Sequence, residues 1–308
     1  MEIVFGLDGI KEAKPCAITI GTFDGVHLGH LKIISRLREV ADQKKLCATL
    51  ITFEPHPRLV VQKQSAHHVQ LLTTLNEKLE ILQKQPLDRI IVVKFDREFS
   101  QIHYEDFVKQ VLIGKLAAQA LVVGYDHSFG RNREGNFSNL EKIKNRYGYD
   151  LYKVEPYELK GNIVSSTFIR QYLRDGDVEM AAAYLGRPYA LSGKVIHGCA
   201  RGKLLHFPTA NLEIDHKYKL VPKNGVYAVD VRYRDRTYKG MMNIGTKPTF
   251  EEHGELSVEV HIIDFNRQIY GEPLTVYFKK RLRNERKFAS KEELIAQLEA
   301  DREKSLKL

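Results

Sequence analysis

The sequence predicts an α/β domain with a parallel sheet, followed by an antiparallel β-barrel domain with a C-terminal helix. Up to about residue 155, short and almost continuous apolar segments alternate with amphipathic helical patterns. This alternation is typical of a parallel sheet covered by helices on both faces. After "LGRPY", strand-like segments follow without helices between them, which indicates a barrel or a sandwich. The 308 residues suffice for about two domains. We expect the boundary near Gly186, which gives domains 1–186 and 187–308.

In the first domain, strand-like and helical patterns alternate along the chain. They are, in order, the strand "AITIG", a helix over 30–42, the strand "CATLITF", the helix "TLNEKLEILQKQ", the strand "RIIVVKF", the helix "YEDFVKQVLIGKL", the strand "ALVVGYD", the helix "NLEKIKNRYG" and the strand "LYKVEPY". Ligands of such sheets bind beyond the carboxyl ends of the strands. We therefore expect three loops to converge there: Gly21–His30, Thr52–Arg58 and Gly124–Gly130.

A helical pattern over roughly 166–185 precedes the strand-like segments of the second domain. These segments are "ALSGKVIHG", "TANLEI", "GVYAVDVRY", "TYKGMMNIG", "SVEVHIID" and "LTVYFKK". A final helix, "KEELIAQLEAD", follows them. Ser290 is in the N-cap position of this helix, and Glu293 three residues later completes a capping-box pattern.

Composition and charge exclude several classes of protein. Apolar residues make up 43% of the chain and charged residues 28%, which is ordinary for a globular protein. No apolar run is long enough to span a bilayer, and the N-terminus lacks a secretory pattern, so we expect a cytoplasmic protein. Cys16, Cys47 and Cys199 are scattered, which favours reduced thiols over disulfides. The net charge of +9 makes polyanions or phosphorylated small molecules suitable partners.

The ten residues Gly21–His30, "GTFDGVHLGH", join a β-branched strand to a helix through glycines and an aspartate. Backbone N–H groups and the positive end of the helix dipole therefore meet at one place, which favours an anion and most often a phosphate. His27 and His30 have three interpretations. They bind the phosphates of a nucleotide, they hydrogen-bond the backbone of the turn, or they bind a metal, although no Cys or carboxylate cluster lies nearby.

Motifs along the whole chain resemble those of flavin-synthesising enzymes. "GTFDGVHLGH" resembles the G-x-F-D-G-V-H-x-G-H motif of the nucleotidyltransferase superfamily, and "VSSTFIR" resembles its triphosphate-binding motif I-S-S-T-x-I-R. "TFEPHPR" and "VVGYDHSFGRNREG" resemble segments of bacterial FMN adenylyltransferases. "FPTANL", "NGVYAV", "NIGTKPTF", "VEVHIIDF", "IYG" and "LRNERKF" follow in the order seen in riboflavin kinases. The chain is therefore identified as a member of the family of bifunctional riboflavin kinases and FMN adenylyltransferases, the bacterial-type FAD synthetases.

The resemblance implies that the first domain is a Rossmann-like nucleotidyltransferase that forms FAD and pyrophosphate from FMN and ATP. The FMN phosphate would attack the α-phosphorus of ATP without a protein nucleophile, so that catalysis is positioning and charge neutralisation. His27 and His30 would be the catalytic contacts to the phosphates. Asp24 would orient the turn or help to position a metal. The residues implied to bind nucleotide are Gly21, Phe23, Asp24, Gly25, Gly29, Ser166, Thr167 and Arg170, and those implied to bind flavin are Asp126 and Phe129.

For the second domain, the resemblance implies phosphorylation of riboflavin to FMN by ATP. Glu259 corresponds to the catalytic base, and strand alternation places it opposite the apolar side chains of its strand. Thr209 and Asn211 of "PTAN" offer oxygen ligands suited to Mg²⁺. Without the family, a solvated strand glutamate and an Asx or Ser/Thr turn would fit these residues equally well. The resemblance also implies ATP contacts from Gly202 and Lys203 and flavin contacts from Arg283 and Phe288.

Two residues depart from the family pattern. His206 stands where the kinase motif G-R-x-L-G-F-P-T-A-N has glycine, which adds a side chain where the backbone approaches ATP or adopts a positive φ. His127 of "GYDHSFG" stands where an aromatic residue, often phenylalanine, is common. These departures bear on kinase activity and on flavin stacking, respectively.

Two other functions compete with this interpretation. The basic pI and the kinship of the H-x-G-H element with class I aminoacyl-tRNA synthetases suggest a nucleic-acid-binding or tRNA-charging protein, but a K-M-S-K-S element and clustered aromatics among basic residues are absent from the sequence. The second is an adenylyltransferase whose barrel binds flavin only as a regulatory module. We expect riboflavin, FMN and ATP as partners, with flavin-requiring apoproteins as acceptors of FAD, and neither nucleic acid nor membrane.

Overall fold

The structure is a computed structural model that describes residues 1–61, 69–198, 207–247 and 255–308. The chain divides into two compact units, Met1–Ser165 and Ser166–Leu308. The first unit contains a parallel sheet with helices, and the second contains a closed antiparallel barrel and a C-terminal helix. The predicted fold class is therefore confirmed. The domain boundary near Gly186 stays a prediction.

A parallel sheet forms the centre of the first unit. The strands of this unit are β1 (Glu2–Phe5), β2 (Cys16–Ile20), β3 (Cys47–Glu54), β4 (Arg89–Lys94), β5 (Ala118–Gly124), β6 (Ser128–Phe129), β7 (Gly135–Asn136), β8 (Asp150–Val154), β9 (Glu158–Leu159) and β10 (Asn162–Ile163). Six of them pair in the order β1-β4-β3-β2-β5-β8, and each pairing is parallel. The prediction omitted β1, in which only Val4 is buried.

Helices cover both faces of this sheet, as predicted. The helices of this unit are α1 (Leu28–Lys44), α2 (Pro57–Val61), α3 (Leu75–Leu82), α4 (Arg97–Ser100), α5 (Tyr104–Asp106), a π-helix (Phe107–Lys115), a 3₁₀ turn (Arg131–Arg133) and α6 (Phe137–Tyr147). Successive strand residues point to opposite faces. Leu50 of β3 therefore packs in one apolar layer with α1 and α3, while Ile51 packs in the other with the π-helix and α6.

The third predicted helix differs from the prediction in its type. One turn of α-helix, α5, leads into nine residues of π-helix. Leu116 N donates to Val111 O at 3.0 Å, five residues back, whereas the α-helical bond spans four. Phe107 and Leu112 of the wider helix lie in the buried layer. Apolar spacing predicts a helix here but does not distinguish the two forms.

The second unit is built around a closed barrel. Its elements are α7 (Ser166–Asp175), α8 (Val178–Leu185), β11 (Ala190–Ile196), β12 (Ala210–Ile214), β13 (Gly225–Tyr233), β14 (Arg236–Lys247), β15 (Glu255–Ile262), β16 (Pro273–Arg283) and α9 (Lys291–Leu306). The strand order is β11-β12-β15-β14-β13-β16, and β16 pairs again with β11. All these pairings are antiparallel. Because β16 pairs with β11, the sheet is a closed barrel and not a sandwich.

The C-terminal helix α9 begins where the sequence predicts. The hydroxyl of Ser290, its N-cap, accepts a hydrogen bond from Glu293 N at 3.2 Å. The carboxylate of Glu293 accepts from Ala289 N at 2.9 Å and so reaches one residue further back than in the predicted capping box. Asp301 is fully buried and pairs with Arg283 Nε at 2.8 Å. This ion pair ties α9 to β16.

Candidate active sites

The carboxyl ends of three neighbouring strands bring the first site together. β2 pairs with β3 on one side and β5 on the other, all in parallel, so the segments that follow them lie at the same edge of the sheet. Thr52 Oγ1 donates to Thr22 O at 3.1 Å. Gly124 lies against α1, because a Cβ built on it would be 3.1 Å from Ile33. The loops expected to converge thus begin side by side.

β2 ends in a strained turn that leads into α1. Gly21 N donates to Ile51 O at 3.0 Å, and Val26 N donates to Phe23 O at 3.1 Å. Phe23 and Val26 have φ angles of 48° and 38°, which non-glycine residues rarely adopt, and Gly25 has a φ of 83°. The side chains of Phe23 and Val26 are both buried, so their packing stabilises this strained backbone conformation. Strained backbone of this kind clusters at ligand-binding sites.

The two histidines cap the start of α1 reciprocally. His27 Nδ1 accepts a hydrogen bond from His30 N at 3.4 Å, and His30 Nδ1 accepts one from His27 N at 3.3 Å. The two rings stack with their centroids 3.6 Å apart. Because both Nδ1 atoms are acceptors, each neutral ring carries its proton on Nε2. The structural role and the phosphate-binding role are therefore compatible, since one nitrogen holds the turn and the other is a donor beside the helix dipole.

Two glycines of this segment leave room for aromatic rings. A Cβ on Gly29 would lie 3.2 Å from two atoms of the His27 ring and 3.4 Å from Val164 O. A Cβ on Gly21 would lie 3.1 Å from the ring of Phe23. Both glycines thus have a packing role in the turn, in addition to the nucleotide contact that the resemblance implies.

Asp24 is held by the segment that precedes α3. Its buried carboxylate accepts hydrogen bonds from Leu72 N at 2.9 Å and from Thr73 N at 3.0 Å. The hydroxyl of Thr73 in turn accepts from Gly25 N at 3.0 Å. These bonds favour orientation of the turn over metal binding, the two roles that the sequence left open for Asp24.

Sequence reasoning missed Lys78, which is buried in α3 beside the same turn. The sequence pattern of this segment predicts only an amphipathic helix. Lys78 falls three residues after Leu75 and four before Leu82, on the face that carries the apolar side chains. A lysine on the apolar face of a helical pattern is unusual, and this is the feature of the sequence that indicates a role for Lys78.

Ser166, Thr167 and Arg170 lie in the first turns of α7. Thr167 is exposed, Ser166 is half-buried and Arg170 is buried. The start of a ten-residue helix directs backbone N–H groups outward, as the N-cap and the phosphate-binding interpretations both require. Their part in holding the triphosphate stays a prediction.

The residues expected to contact flavin follow β5. Asp126 is exposed. The Phe129 ring lies 5.4 Å from that of Phe107 and 5.5 Å from that of His127. His127 is partly exposed as a residue, but its Nε2 is buried and lacks a hydrogen-bond partner among the described residues. Burial of this ring, with a smaller effect of the Arg133 charge, lowers its pKa to about 4.

A cluster of oxygen atoms surrounds Glu259 in the second unit. Thr209 Oγ1 donates to the Glu259 carboxylate at 3.3 Å, and Ser257 Oγ donates to its other oxygen at 3.0 Å. Asn211 on β12 and Asn243 on β14 are the register partners of Glu259. Directly paired residues share a face of the sheet, so three strands contribute polar groups to one row.

Burial along β15 follows the predicted alternation. Val258, Val260 and Ile262 are buried on one face, and Glu259 lies on the other face with His261. His261 Nδ1 lies 2.8 Å from Pro208 O, so this nitrogen is the donor. Burial lowers the pKa of His261 and favours its neutral form. The ring thereby anchors the residue before Thr209.

The predicted flavin residues Arg283 and Phe288 contact each other. The Arg283 guanidinium lies 5.6 Å from the centre of the Phe288 ring. Because the same guanidinium pairs with buried Asp301, Arg283 also has a structural role. Gly202, Lys203 and the departing residue His206 lie outside the described residues, as does Cys199.

Comparison with known proteins identifies the family. A family model described as FAD synthetase matches residues 9–168, and one described as riboflavin kinase matches residues 185–308. A bifunctional riboflavin kinase/FMN adenylyltransferase from Listeria monocytogenes is 40% identical and covers 92% of this chain and 89% of its own length. The protein of the same name from Haemophilus influenzae is 37% identical, with coverage of 98% and 97%.

The chain belongs to the family of bifunctional riboflavin kinases/FMN adenylyltransferases. The family predicted from the motifs is thereby confirmed. Its two activities are riboflavin kinase and FMN adenylyltransferase, which imply ATP and flavins as substrates and products.

A solved structure shares the whole fold. The crystal structure of a macrolide-efflux protein from Streptococcus pneumoniae matches with a TM-score of 0.90 and 30% identity, over 99% of both chains. Within the described ranges of the present chain, none of the helices has the length and apolar character needed to cross a membrane.

Proposed function

We propose that residues 1–186 form FAD from FMN and ATP and that residues 187–308 phosphorylate riboflavin. The order of the two family matches along the chain supports this division. The observation that carries the first assignment is the stacked pair His27 and His30 at the start of α1. It combines two imidazole donors with the positive end of a helix, which suits a polyphosphate.

In the first reaction, an oxygen of the FMN phosphate bonds to the α-phosphorus of ATP while the bond to the bridging oxygen of the β-phosphate breaks. The departing pyrophosphate gains negative charge, and the Nε2–H groups of His27 and His30 stabilise it. Asp24 and Phe23 keep the turn in shape, so that the backbone at Gly21 and Gly25 lies close to the nucleotide. The remaining proposed contacts are Gly29, Ser166, Thr167 and Arg170 for the nucleotide, and Asp126 and Phe129 for the flavin.

In the second reaction, Glu259 acts as a general base. Its carboxylate accepts the proton of the terminal hydroxyl of riboflavin as that oxygen bonds to the γ-phosphorus and ADP departs. A hydroxyl is a poor nucleophile, and a positioned carboxylate contributes about a hundred- to ten-thousandfold. The remaining proposed contacts are Gly202 and Lys203 for ATP, and Arg283 and Phe288 for the flavin.

The residues beside Glu259 fit a bound Mg²⁺ ion. Thr209 offers a hydroxyl oxygen within the cluster, and Asn211 offers an amide oxygen from the strand position paired with Glu259. Neutral oxygen atoms near a carboxylate are ligands suited to Mg²⁺. We assign the ion to Thr209 and Asn211, and when bound it neutralises charge on the phosphates of ATP.

Two variants of the full chain test the division of labour. Glu259→Gln keeps the shape of the side chain but removes the basic oxygen, so most FMN production from riboflavin should be lost while conversion of supplied FMN to FAD persists. His30→Ala should cut FAD formation on the order of a hundredfold and leave riboflavin phosphorylation nearly unchanged. Flavins formed from riboflavin or from FMN, each with ATP and Mg²⁺, are separated by chromatography.

Other outcomes would support the competing interpretations. Full riboflavin phosphorylation by Glu259→Gln would mean that this carboxylate is only a solvated strand residue. A parent chain that forms FAD from FMN but leaves riboflavin unchanged would identify the barrel as a regulatory module. Loss of a stoichiometric metal from His30→Ala would favour the interpretation that His27 and His30 bind a metal.

We further propose that the enzyme works in the cytoplasm and supplies FAD to flavin-requiring apoproteins. Cys16 and Cys47 are free thiols, which suits a reducing compartment.

A further inference from the structure

The ammonium group of Lys78 lies where two strands of the sheet end. Its Nζ donates to Thr52 Oγ1 at 3.0 Å, to Thr22 O at 3.2 Å and to Phe53 O at 3.5 Å. The hydroxyl of Thr52 also donates a hydrogen bond to Thr22 O at 3.1 Å. A single cation therefore joins the last residues of β3 to the segment that follows β2.

This position is costly for a charged side chain. Lys78 is only 5% exposed, and burial lowers its pKa, while the carboxylates of Asp24 and Glu54 act in the opposite direction. A methionine or leucine at this place on the apolar face of α3 would avoid the desolvation of a cation. The charge therefore calls for a role other than filling space.

The acceptors of Lys78 lead directly to the proposed phosphate site. Thr22 is the residue before the strained turn Phe23–Val26, and His27 follows that turn. The segment that precedes α3 holds the turn from a second side, because Leu72 N and Thr73 N donate to Asp24. Residues 72–78 thus hydrogen-bond to Thr22, the residue before the turn, and to the carboxylate of Asp24 within it.

We propose that Lys78 is a positioning residue for adenylyl transfer. By fixing the ends of β2 and β3, its ammonium holds the turn and the first residues of α1 in the geometry in which His27 and His30 meet the phosphates. The proposal rests on the proposed function of these two histidines. Lys78 itself acts through the backbone at Thr22 and through the Thr52 hydroxyl, and not by contact with substrate.

Lys78→Met in the full chain tests this role, because methionine is also unbranched and nearly as long as lysine but lacks the charge and the donors. We expect kcat for FAD formation from FMN to fall about ten- to hundredfold, since small displacements of catalytic groups cost this much. KM for FMN and ATP should change less than threefold, and riboflavin phosphorylation should match the parent. Lys84→Met, which removes an exposed lysine just beyond the same helix, should leave both activities unchanged.

A second variant keeps the test decisive if Lys78→Met does not fold. Thr52→Val removes one acceptor of the ammonium and the hydroxyl that donates to Thr22 O, without changing any charge. The kcat for FAD formation should fall at least threefold. If Lys78→Met is soluble, the double variant should lose less than the two single losses combined, because both changes break the hydrogen bond between Lys78 Nζ and Thr52 Oγ1.

Three results would overturn the proposal. An unchanged kcat for FAD formation in Lys78→Met or Thr52→Val would show that the turn does not depend on this interaction. A raised KM with an unchanged kcat would indicate a substrate contact instead. Equal loss of both activities with a lower melting temperature would indicate a general stabilising role. Failure of the proposed function itself is distinguishable, because the parent chain would then form no FAD or His30→Ala would retain full FAD formation.

Discussion

His127 carries a titratable ring into a buried position after β5. The pKa of this ring is about 4, chiefly because of burial, whereas a histidine in an unfolded chain has a pKa near 6.5. Between these two pKa values the unfolded chain binds more protons than the folded chain. The contribution of His127 to stability is therefore complete above a pH of about 6.5 and is lost as the pH falls towards about 4.

Replacement of this ring should reduce the pH dependence of stability. Between pH 7 and pH 5, we expect the free energy of unfolding to fall by about 1–2 kcal/mol more in the parent than in His127→Phe. The lower part of this range allows for the partial exposure of the residue. Urea unfolding followed by circular dichroism at both pH values measures the difference. Identical pH dependence in the two proteins would contradict the buried, neutral ring.

Among the elements, α1 is the helix whose first turn has two tasks. His27 and His30 cap this turn, and the turn must also leave space for their stacked rings. Gly29, the second residue of this helix, makes the stacking possible because the His27 ring lies against its missing side chain. Glycine weakens a helix by about 0.5–1 kcal/mol relative to alanine. Gly29 therefore lowers the stability of the first turn but allows the His27 and His30 rings to stack.

Gly29→Ala should separate these two tasks. The added methyl group displaces the His27 ring, so FAD formation should fall about tenfold, while riboflavin phosphorylation should match the parent. The melting temperature should change little, because the gain in helix propensity offsets the closer contact. Ser35→Ala, at an exposed position of the same helix, is the control and should alter neither activity. Undiminished FAD formation by Gly29→Ala would mean that the ring position is not critical.

Local patterns predicted most of these elements because buried strands and amphipathic helices leave clear periods in a sequence. β1 was missed because it has only four residues, of which Glu2 and Phe5 are exposed. The π-helix was predicted only as a helix, since its apolar spacing resembles that of an α-helix. Closure of the barrel depends on the pairing of β11 with β16, which are far apart in the chain, and no local pattern encodes it.

The site was predictable to a similar degree. Turn chemistry and motif spacing indicated His27 and His30, and strand alternation indicated the face that carries Glu259. Lys78 was not found, because its role arises from three acceptors on other segments. For Asp24 the sequence left two roles open, and the hydrogen bonds that favour the orienting role come from Leu72 and Thr73, which are distant in the chain.

At the scale of the whole molecule, the helices α7 and α8 belong to the compact unit that contains the barrel. α8 packs on β16, and Glu179 pairs with Lys280 at 3.3 Å. The apolar side chains that α8 buries are Val178, Ala181, Tyr184 and Leu185. A fragment that starts after Gly186 lacks this layer.

Two fragments should therefore differ in stability. We expect residues 187–308 to melt at least about 10 °C below residues 166–308, because each large apolar side chain that is removed takes away about 1.5–3 kcal/mol of burial. Residues 166–308 should also phosphorylate riboflavin. Thermal unfolding followed by circular dichroism, with the flavin assay on both fragments, tests this. Equal melting temperatures would show that the packing of α8 on β16 does not stabilise the barrel.

The open sheet and the closed barrel also differ in how they could meet other copies of the chain. A sheet with unpaired outer strands is a template for edge-to-edge aggregation, whereas a barrel whose strands close on themselves offers no such template. The outer strands of the sheet are β1, which has only four residues, and β8, which presents the exposed charges of Asp150 and Lys153. Short length and charge are the means by which native edges resist joining another sheet. Among the described strands, association of two copies through strand edges is thus possible only for the first unit, and the short β1 and the charged β8 disfavour it.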